Sequence, residues 1–387
     1  MYVSLESVAP TLYPSLANDP SSINIWPKDS FLKRLLEEDL SKLRTSFKIT
    51  PFHTLISGTL SEADSLYIEA SFAEFSAWFH GKTSLGDGFA KLPLNASQEV
   101  SIYAGYKHFE VLFEDSPSLS SFFPFASLLS PSSKVLLDDD SNNKPTLWLS
   151  TMNAYTPLHY DSYGCNIIVQ LVGTKRWKLW RPQRHSLPPT RIPYEESTVF
   201  STYDPLKALN NSQNNMIPAD FEIELSPGDV LFVPKHYWHF VTTTSSIALS
   251  VNLWLPCEDD DQDRCREAMV RFAMTSFMRT LKISCGDEEI AKYLSPSETG
   301  TLNPAGRSIG ETAQSDDDRE EDSSHNGDEQ EAVMALDFVR ESLKALLIKS
   351  SGGREVNDAE VEVRVRRMVD AFLAPEKIER VMSHSLA

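Results

Sequence analysis

Two short segments carry residues able to share a metal ion. TPLHYDSYGCN places His159 and Asp161 two residues apart, and on a strand residues two apart point to the same face. Further along, PGDVLFVPKHYWHF supplies His236 and His239. Two imidazoles and one carboxylate on one side of an ion leave its other positions open. That is the donor set of non-haem Fe(II) oxygenases, in which a bidentate cosubstrate and dioxygen must both find a coordination position. A His-x-Asp pair by itself is common among surface residues. Here it enters an expected strand, and the second segment also lies at a turn and strand of the same expected barrel, so His159, Asp161 and His239 form the candidate triad. His236, three residues before His239, faces the opposite way on a regular strand and reads as a histidine at a turn. His53, His80, His108 and His185 lack comparable settings and read as structural or surface residues. A zinc site with hydrolytic or isomerase chemistry uses similar ligands and remains an alternative at this point.

The elements that would position these residues are short strands. Leu147–Ser150, Pro157–Asp161, Cys165–Val172, Lys175–Trp180, Phe221–Leu225, Val230–Val233, Trp238–Thr242 and Ile247–Leu255 are apolar or alternating runs separated by Gly, Pro, Asp and Ser. Such a succession predicts a β-sandwich or jelly roll. A polar insertion at 183–218 divides the strands into two groups. Before the barrel, residues 1–27 read as irregular. Ser30–Leu43 reads as a helix capped by Asp29 or Ser30, with Phe31, Leu32, Leu35, Leu36, Leu40 and Leu43 on one face. Phe72, Phe75, Trp78 and Phe79 recur at helical spacing, a stripe that reads as core. After the barrel, Arg264–Leu281, Glu331–Ile348, Val361–Leu373 and Lys377–Met382 read as helices.

From Trp148 to Pro256 the chain resembles the JmjC branch of the cupin-type 2-oxoglutarate oxygenases. TPLHYD, GTKRWKLWRP, PGDVLFVPKHYWHF and SVNLW occur in that family's order and spacing. SYGCN, RIPYEESTVFS and the upstream YAGYKHFEVLFED are similar to a JmjC subgroup known for association with a small heat shock protein. The resemblance implies an α+β fold, with a double-stranded β-helix (cupin/JmjC jelly roll) core flanked by N- and C-terminal helices. It implies His159, Asp161 and His239 as ligands of Fe(II), with 2-oxoglutarate as cosubstrate. Thr156 and Lys175 match the family's contacts to the distal carboxylate of 2-oxoglutarate, and Asn166 and Asn252 match amides of the same pocket. A tyrosine often joins that carboxylate; Tyr103, Tyr106 and Tyr155 are all candidates. The implied activity is hydroxylation or demethylation of a protein side chain. The alternative is an adaptor that keeps the barrel and docks a small heat shock protein.

Lys175 also stands on its own chemistry. By alternation it shares a face with Trp177 and Leu179, while Arg176 and Lys178 face the other way. A lysine on an inward apolar face is costly unless an anion neutralises it, and a dicarboxylic acid chelating a metal at its other end supplies one. Asn166 and Asn252 alternate with apolar neighbours, so each could line a pocket or bond backbone. Trp177 and Trp254 could wall the cavity, but large aromatics are ordinary barrel core, and they read so here.

The formal net charge is −19, which argues against general affinity for nucleic-acid phosphates or anionic membrane. Glu258–Asp263 carries −5 and Glu311–Glu331 carries −9, so the remaining 360 residues carry only −5. The barrel is therefore near neutral for its size. The resulting organisation is an N-terminal helical and strand region (1–140) packed on the barrel and a jelly-roll core (141–257). A helical extension (258–294), an acidic segment expected to be disordered (295–330) and C-terminal helices (331–387) follow. Those last helices could support a homodimer. No apolar run approaches the roughly 20 residues that span a bilayer, no basic start precedes an apolar block, and the four cysteines show no disulfide-like spacing. These features set the expectation of a cytoplasmic or nuclear protein, and the resemblance implies that it acts on a protein or peptide.

Overall fold

Strands dominate because alternating and β-branched runs recur between short turns. The computed structural model describes residues 9–18, 29–51, 66–82, 100–113, 145–182, 198–210, 216–268 and 354–372, with isolated positions between them. The chain divides into two compact units, Met1–Cys257 with Thr301–Ala305, and Glu258–Gly300 with Gly306–Ala387.

The first unit holds two antiparallel sheets. The strands are β1 (Thr11–Tyr13), β2 (Arg44–Pro51), β3 (Leu66–Ser71), β4 (Val100–His108), β5 (Thr146–Thr151), β6 (Tyr155–Asp161), β7 (Cys165–Val172), β8 (Lys175–Trp180), β9 (Thr198–Phe200), β10 (Phe221–Leu225), β11 (Val230–Val233), β12 (Trp238–Thr243) and β13 (Ile247–Leu255). The larger sheet runs β1-β11-β7-β13-β5-β4-β2-β3 and the smaller β10-β8-β12-β6-β9. They pack face to face: Ile168, Leu231 and Val233 of the large sheet bury against Trp177, Leu179, Leu225 and Val241 of the small one. This pairing is consistent with a jelly-roll core. The opposite face of the large sheet is also dry. Leu147, Leu149, Ile167, Val169, Leu249, Val251 and Leu253 join an aromatic cluster that includes Phe31, Phe47, Phe72, Phe75 and Trp78.

Two helices supply that cover. Helix α1 (Asp29–Glu37) is followed by a 3-10 turn at Asp39–Lys42, so the expected single helix to Leu43 is divided in two. Helix α2 (Phe72–Phe79) begins in a reciprocal cap: Ser71 Oγ accepts from the Glu74 amide, and the Glu74 carboxylate accepts from the Ser71 amide. Its Phe72, Phe75 and Trp78 are buried, as their spacing requires.

Several strands lie where the sequence showed no clear period. Residues 11–13, read as irregular, form β1 against β11. Strand β4 mixes aromatics and charges because its pairing with β5 slips between Ala104 and Lys107. Tyr106 adopts a positive φ of 53° there. Such a bulge breaks the period-2 pattern. The turn from β7 to β8 depends on Gly173, at φ +65°, where a Cβ would stand 2.0 Å from the Ile247 carbonyl oxygen.

In the second unit, residues 260–268 are helical, and α3 (Asp358–Phe372) is a separate helix. Cys265, Ala268, Leu343, Leu347, Val356, Val361 and Val365 form a small apolar cluster. The expected acidic segment 295–330, most of the insertion 183–218, and the expected helix Lys377–Met382 lie outside the described residues. So do the greater parts of Arg264–Leu281 and Glu331–Ile348. No described helix is long and apolar enough to cross a membrane.

Candidate metal centre and cosubstrate pocket

The candidate triad comes from two neighbouring strands of the small sheet. His159 on β6 stands directly opposite His239 on β12, and their ring centroids are 4.1 Å apart. Asp161, two residues beyond His159, returns to the same face. Its Oδ1 lies 3.6 Å from His159 Nε2, and one donor atom from each of the three residues falls within 4.8 Å of the others. All three side chains are buried.

Both rings are held in the tautomer a metal needs. His159 Nδ1 lies 2.7 Å from the Pro157 carbonyl, and His239 Nδ1 lies 2.9 Å from the Tyr237 carbonyl. A carbonyl oxygen only accepts, so each Nδ1 carries a proton and each Nε2 is the atom left to ligate. Burial, and secondarily the neighbouring His239, hold the His159 pKa well below the usual histidine value. The ring is therefore neutral near pH 7, as a ligand must be. The carboxylate is oriented too. Trp254 Nε1 donates to Asp161 Oδ2 at 2.9 Å, which leaves Oδ1 toward His159. Trp177 stacks on His239, with centroids 5.6 Å apart and planes at 24°. Two imidazoles and one carboxylate, each fixed by a second partner, fit a divalent transition metal. Cis ligands about 2.1 Å from such an ion stand about 3 Å apart, against 3.6 Å between His159 Nε2 and Asp161 Oδ1 here.

The triad opens on a cavity between the sheets. Thr156, Asn166, Lys175 and Asn252 all line it, so the four cosubstrate candidates share one cavity with the triad. Thr156 reaches it through a bulge. His239 pairs with His159 and Val241 with Thr156, so two residues of β6, Pro157 and Leu158, oppose the single Phe240. On a regular strand Thr156 and His159, three apart, would face opposite ways; the extra residue brings both inward.

Lys175 lies at the end lined by Thr156, Tyr103 and Ser250. It is 3 % exposed, donates to Ser250 Oγ at 2.8 Å and lies 5.4 Å from the centre of the Tyr103 ring. Among the described residues no carboxylate forms an ion pair with it, and burial lowers its pKa to about 7. Tyr103 OH and Thr156 Oγ1 are 3.2 Å apart. The three candidate tyrosines therefore separate. Tyr103 joins the Lys175 end and Tyr106 lines the same cavity, whereas Tyr155 packs with Leu158, Trp180 and Phe240. Asn252 accepts from Trp148 Nε1 at 2.6 Å and donates to Asn166 Oδ1 at 2.8 Å, so the two amides brace each other.

His236 occupies a turn at φ +65°, and its Nε2 lies 3.2 Å from the Ser162 carbonyl, outside the triad. Trp177 belongs to the core between the sheets, as expected, while the plain-core reading of Trp254 is corrected. Both wall the cavity, and Trp254 orients a candidate ligand. The signal was present in the alternation Ser250, Asn252, Trp254, which puts the indole on the face of the expected pocket amide.

The cupin-like domain family matches residues 9–261. HSPB1-associated protein 1 of Bos taurus is 32 % identical over 275 residues, covering 70 % of this chain and 54 % of that protein. JmjC domain-containing protein F of Dictyostelium discoideum is 32 % identical over 165 residues, covering 37 % of this chain and 34 % of that protein. Lysine-specific demethylase JMJ30 of Arabidopsis thaliana is 30 % identical over 112 residues, covering 28 % and 24 %. The chain spans about half the length of the HSPB1-associated proteins it matches. Matched over residues 9–261, the chain belongs to the cupin-like domain family, and it is similar to JmjC domain-containing proteins.

Proposed function

We propose that this chain is an Fe(II)- and 2-oxoglutarate-dependent oxygenase built on a double-stranded β-helix, hydroxylating or demethylating a protein side chain. The observation that carries the reading is one cavity with two chemically distinct ends. His159, Asp161 and His239 converge at one end, and the buried ammonium of Lys175 lies at the other. A dicarboxylic acid with a metal-chelating keto acid matches both ends at once.

His159 and His239 would hold the metal through Nε2 and Asp161 through Oδ1. When bound, the iron supplies activation of dioxygen with 2-oxoglutarate as the reductant. The chain's own work is positional. Lys175 compensates the distal carboxylate, and Thr156 and Tyr103 offer hydroxyl donors to it. Asn166 and Asn252 hold the floor of the pocket, and Trp254 keeps Asp161 from rotating away. The walls of Trp148, Trp177 and Ile168 exclude water from the reacting region.

The relatives named for association with HSPB1 favour a second reading, an adaptor that binds a small heat shock protein through the same fold. An adaptor has no use for a dry metal triad or a buried lysine, and these favour the enzyme. Anaerobic addition of Fe(II) and 2-oxoglutarate separates the two readings. An oxygenase gives a visible metal-to-ligand charge-transfer band; no band together with no succinate on admitting air leaves the adaptor. Dimerisation through the C-terminal helices and residence in cytoplasm or nucleus belong to the same proposal. Light scattering and imaging of the full chain test them.

A further inference from the structure

We propose that His236 is a positioning residue of the metal centre, whose side chain ties the turn before His239 to the chain just after Asp161. The inference rests on reading the triad as a metal centre. It adds a residue that the cavity does not reveal, since His236 is not among the residues lining it.

Alternation sorts the residues around the triad onto two faces. His159 and Asp161 line the cavity, so Tyr160 between them points to the reverse face of the small sheet. Trp238, beside His239, does the same, and both residues belong to the apolar cluster on that face. Their rings meet edge to face, with centroids 4.7 Å apart and planes at 89°. His236 joins them, its ring centroid 5.4 Å from that of Tyr160 and its plane at 69°. The two ligand-bearing strands are thus fastened together behind the metal site as well as through their backbones.

His236 extends that fastening past the end of the strands. His239 pairs with His159, and antiparallel continuation of that register sets position 236 opposite position 162. Strand β6 has ended by then at Asp161, and β12 begins only at Trp238. His236 lies in the turn at φ +65°. A side-chain donor reaches across instead: His236 Nε2 lies 3.2 Å from the Ser162 carbonyl, and because a carbonyl only accepts, Nε2 carries the proton. Ser162 is buried, so bulk water competes little with this bond. A non-glycine residue at positive φ is uncommon, and such a conformation persists where surrounding contacts impose it. The Ser162 carbonyl and the Tyr160 ring are such contacts. Ser162 directly follows one ligand and His236 precedes another by three residues, so the bond fixes the spacing between Asp161 and His239.

The test uses the full chain and metal alone, with Mn(II) for affinity and Co(II) for its visible absorption bands. His236→Gly accepts φ +65° without strain but removes the donor. It should weaken Mn(II) binding about 10- to 100-fold and shift the Co(II) bands, with thermal melting showing that the variant is folded. His236→Gln returns an N–H donor at about the reach of Nε2. It should bring affinity back to within about threefold of the wild type and restore the bands. His236→Asn also tolerates this φ but is too short to reach the Ser162 carbonyl; it serves as the second variant, with the same expected loss as glycine. A role confined to stability would lower the melting temperature and leave affinity and bands unmoved. A loss of less than about fivefold in folded His236→Gly and His236→Asn, or no recovery in folded His236→Gln, overturns the proposal. Absence of Mn(II) binding by the wild type shows instead that the metal-centre reading has failed, and the proposal falls with it.

Discussion

Lys175 offers the most quantitative consequence of the site. Its ammonium sits in the cavity wall beside Ser250, and burial lowers its pKa from 10.5 to about 7. A carboxylate brought to within about 3 Å would interact with it by about 5 kcal/mol at an effective dielectric near 20. That is about four pH units, enough to restore an ordinary lysine pKa. Ligand binding should therefore take up a proton. Uptake should be about 0.9 proton at pH 8 and about 0.1 at pH 6, where the lysine is already charged. Affinity should fall about eightfold between pH 7.5 and 8.5. Calorimetry of 2-oxoglutarate binding to the Mn(II)-loaded protein, in buffers of different ionisation enthalpy, measures the uptake. Lys175→Arg keeps a permanent charge, so its uptake should be near zero. Uptake near zero in the wild type at pH 8, or equal uptake in the arginine variant, would refute the reasoning.

The same group sets a stability window. The folded pKa of Lys175 is below its unfolded value, so between about pH 7 and 10.5 the unfolded chain binds more protons. Stability of the ligand-free protein should then rise with pH through that window, other groups being equal. Lys175→Met should flatten the rise and stabilise the protein below pH 7 by up to about 5 kcal/mol, as read from chemical denaturation across pH. Trp254→Phe removes the donor to Asp161 Oδ2 and should weaken Mn(II) binding about 10- to 100-fold; unchanged affinity would show that the indole does not orient the ligand. Gly173→Ala puts a Cβ against the Ile247 carbonyl at positive φ. It should cost more than the roughly 1–2 kcal/mol of the backbone conformation alone, read as a lower melting temperature.

How much of this was legible in the sequence depended on periodicity. Strands β7, β8, β10, β11 and β13 have the expected bounds because each is an apolar or alternating run closed off by turn residues. The triad was legible for the same reason: His159 and Asp161 obey period 2, and His239 lies on an alternating strand. Thr156 could be placed only by resemblance, because a local period says nothing of the bulge at Pro157 and Leu158. Tyr103 could not be separated from Tyr106 and Tyr155, since its position follows from the pairing of β4 with β2 and β5. Trp254 was assigned to the core because a large aromatic at an inward position usually belongs there. Only the tertiary contact with Asp161 reveals the use of its N–H. Strand β1 is three residues long and owes its existence to β11, so no local signal could have marked it.

The central claim is that His159, Asp161 and His239 hold an iron that consumes 2-oxoglutarate. Succinate formation by the full chain with Fe(II), 2-oxoglutarate and air tests it most directly, compared with His159→Ala and Asp161→Ala. The account predicts succinate from the wild type and none above background from either variant, with both variants retaining the wild-type circular dichroism. Succinate formed at the wild-type rate by either folded variant, or none formed by the wild type, would contradict it.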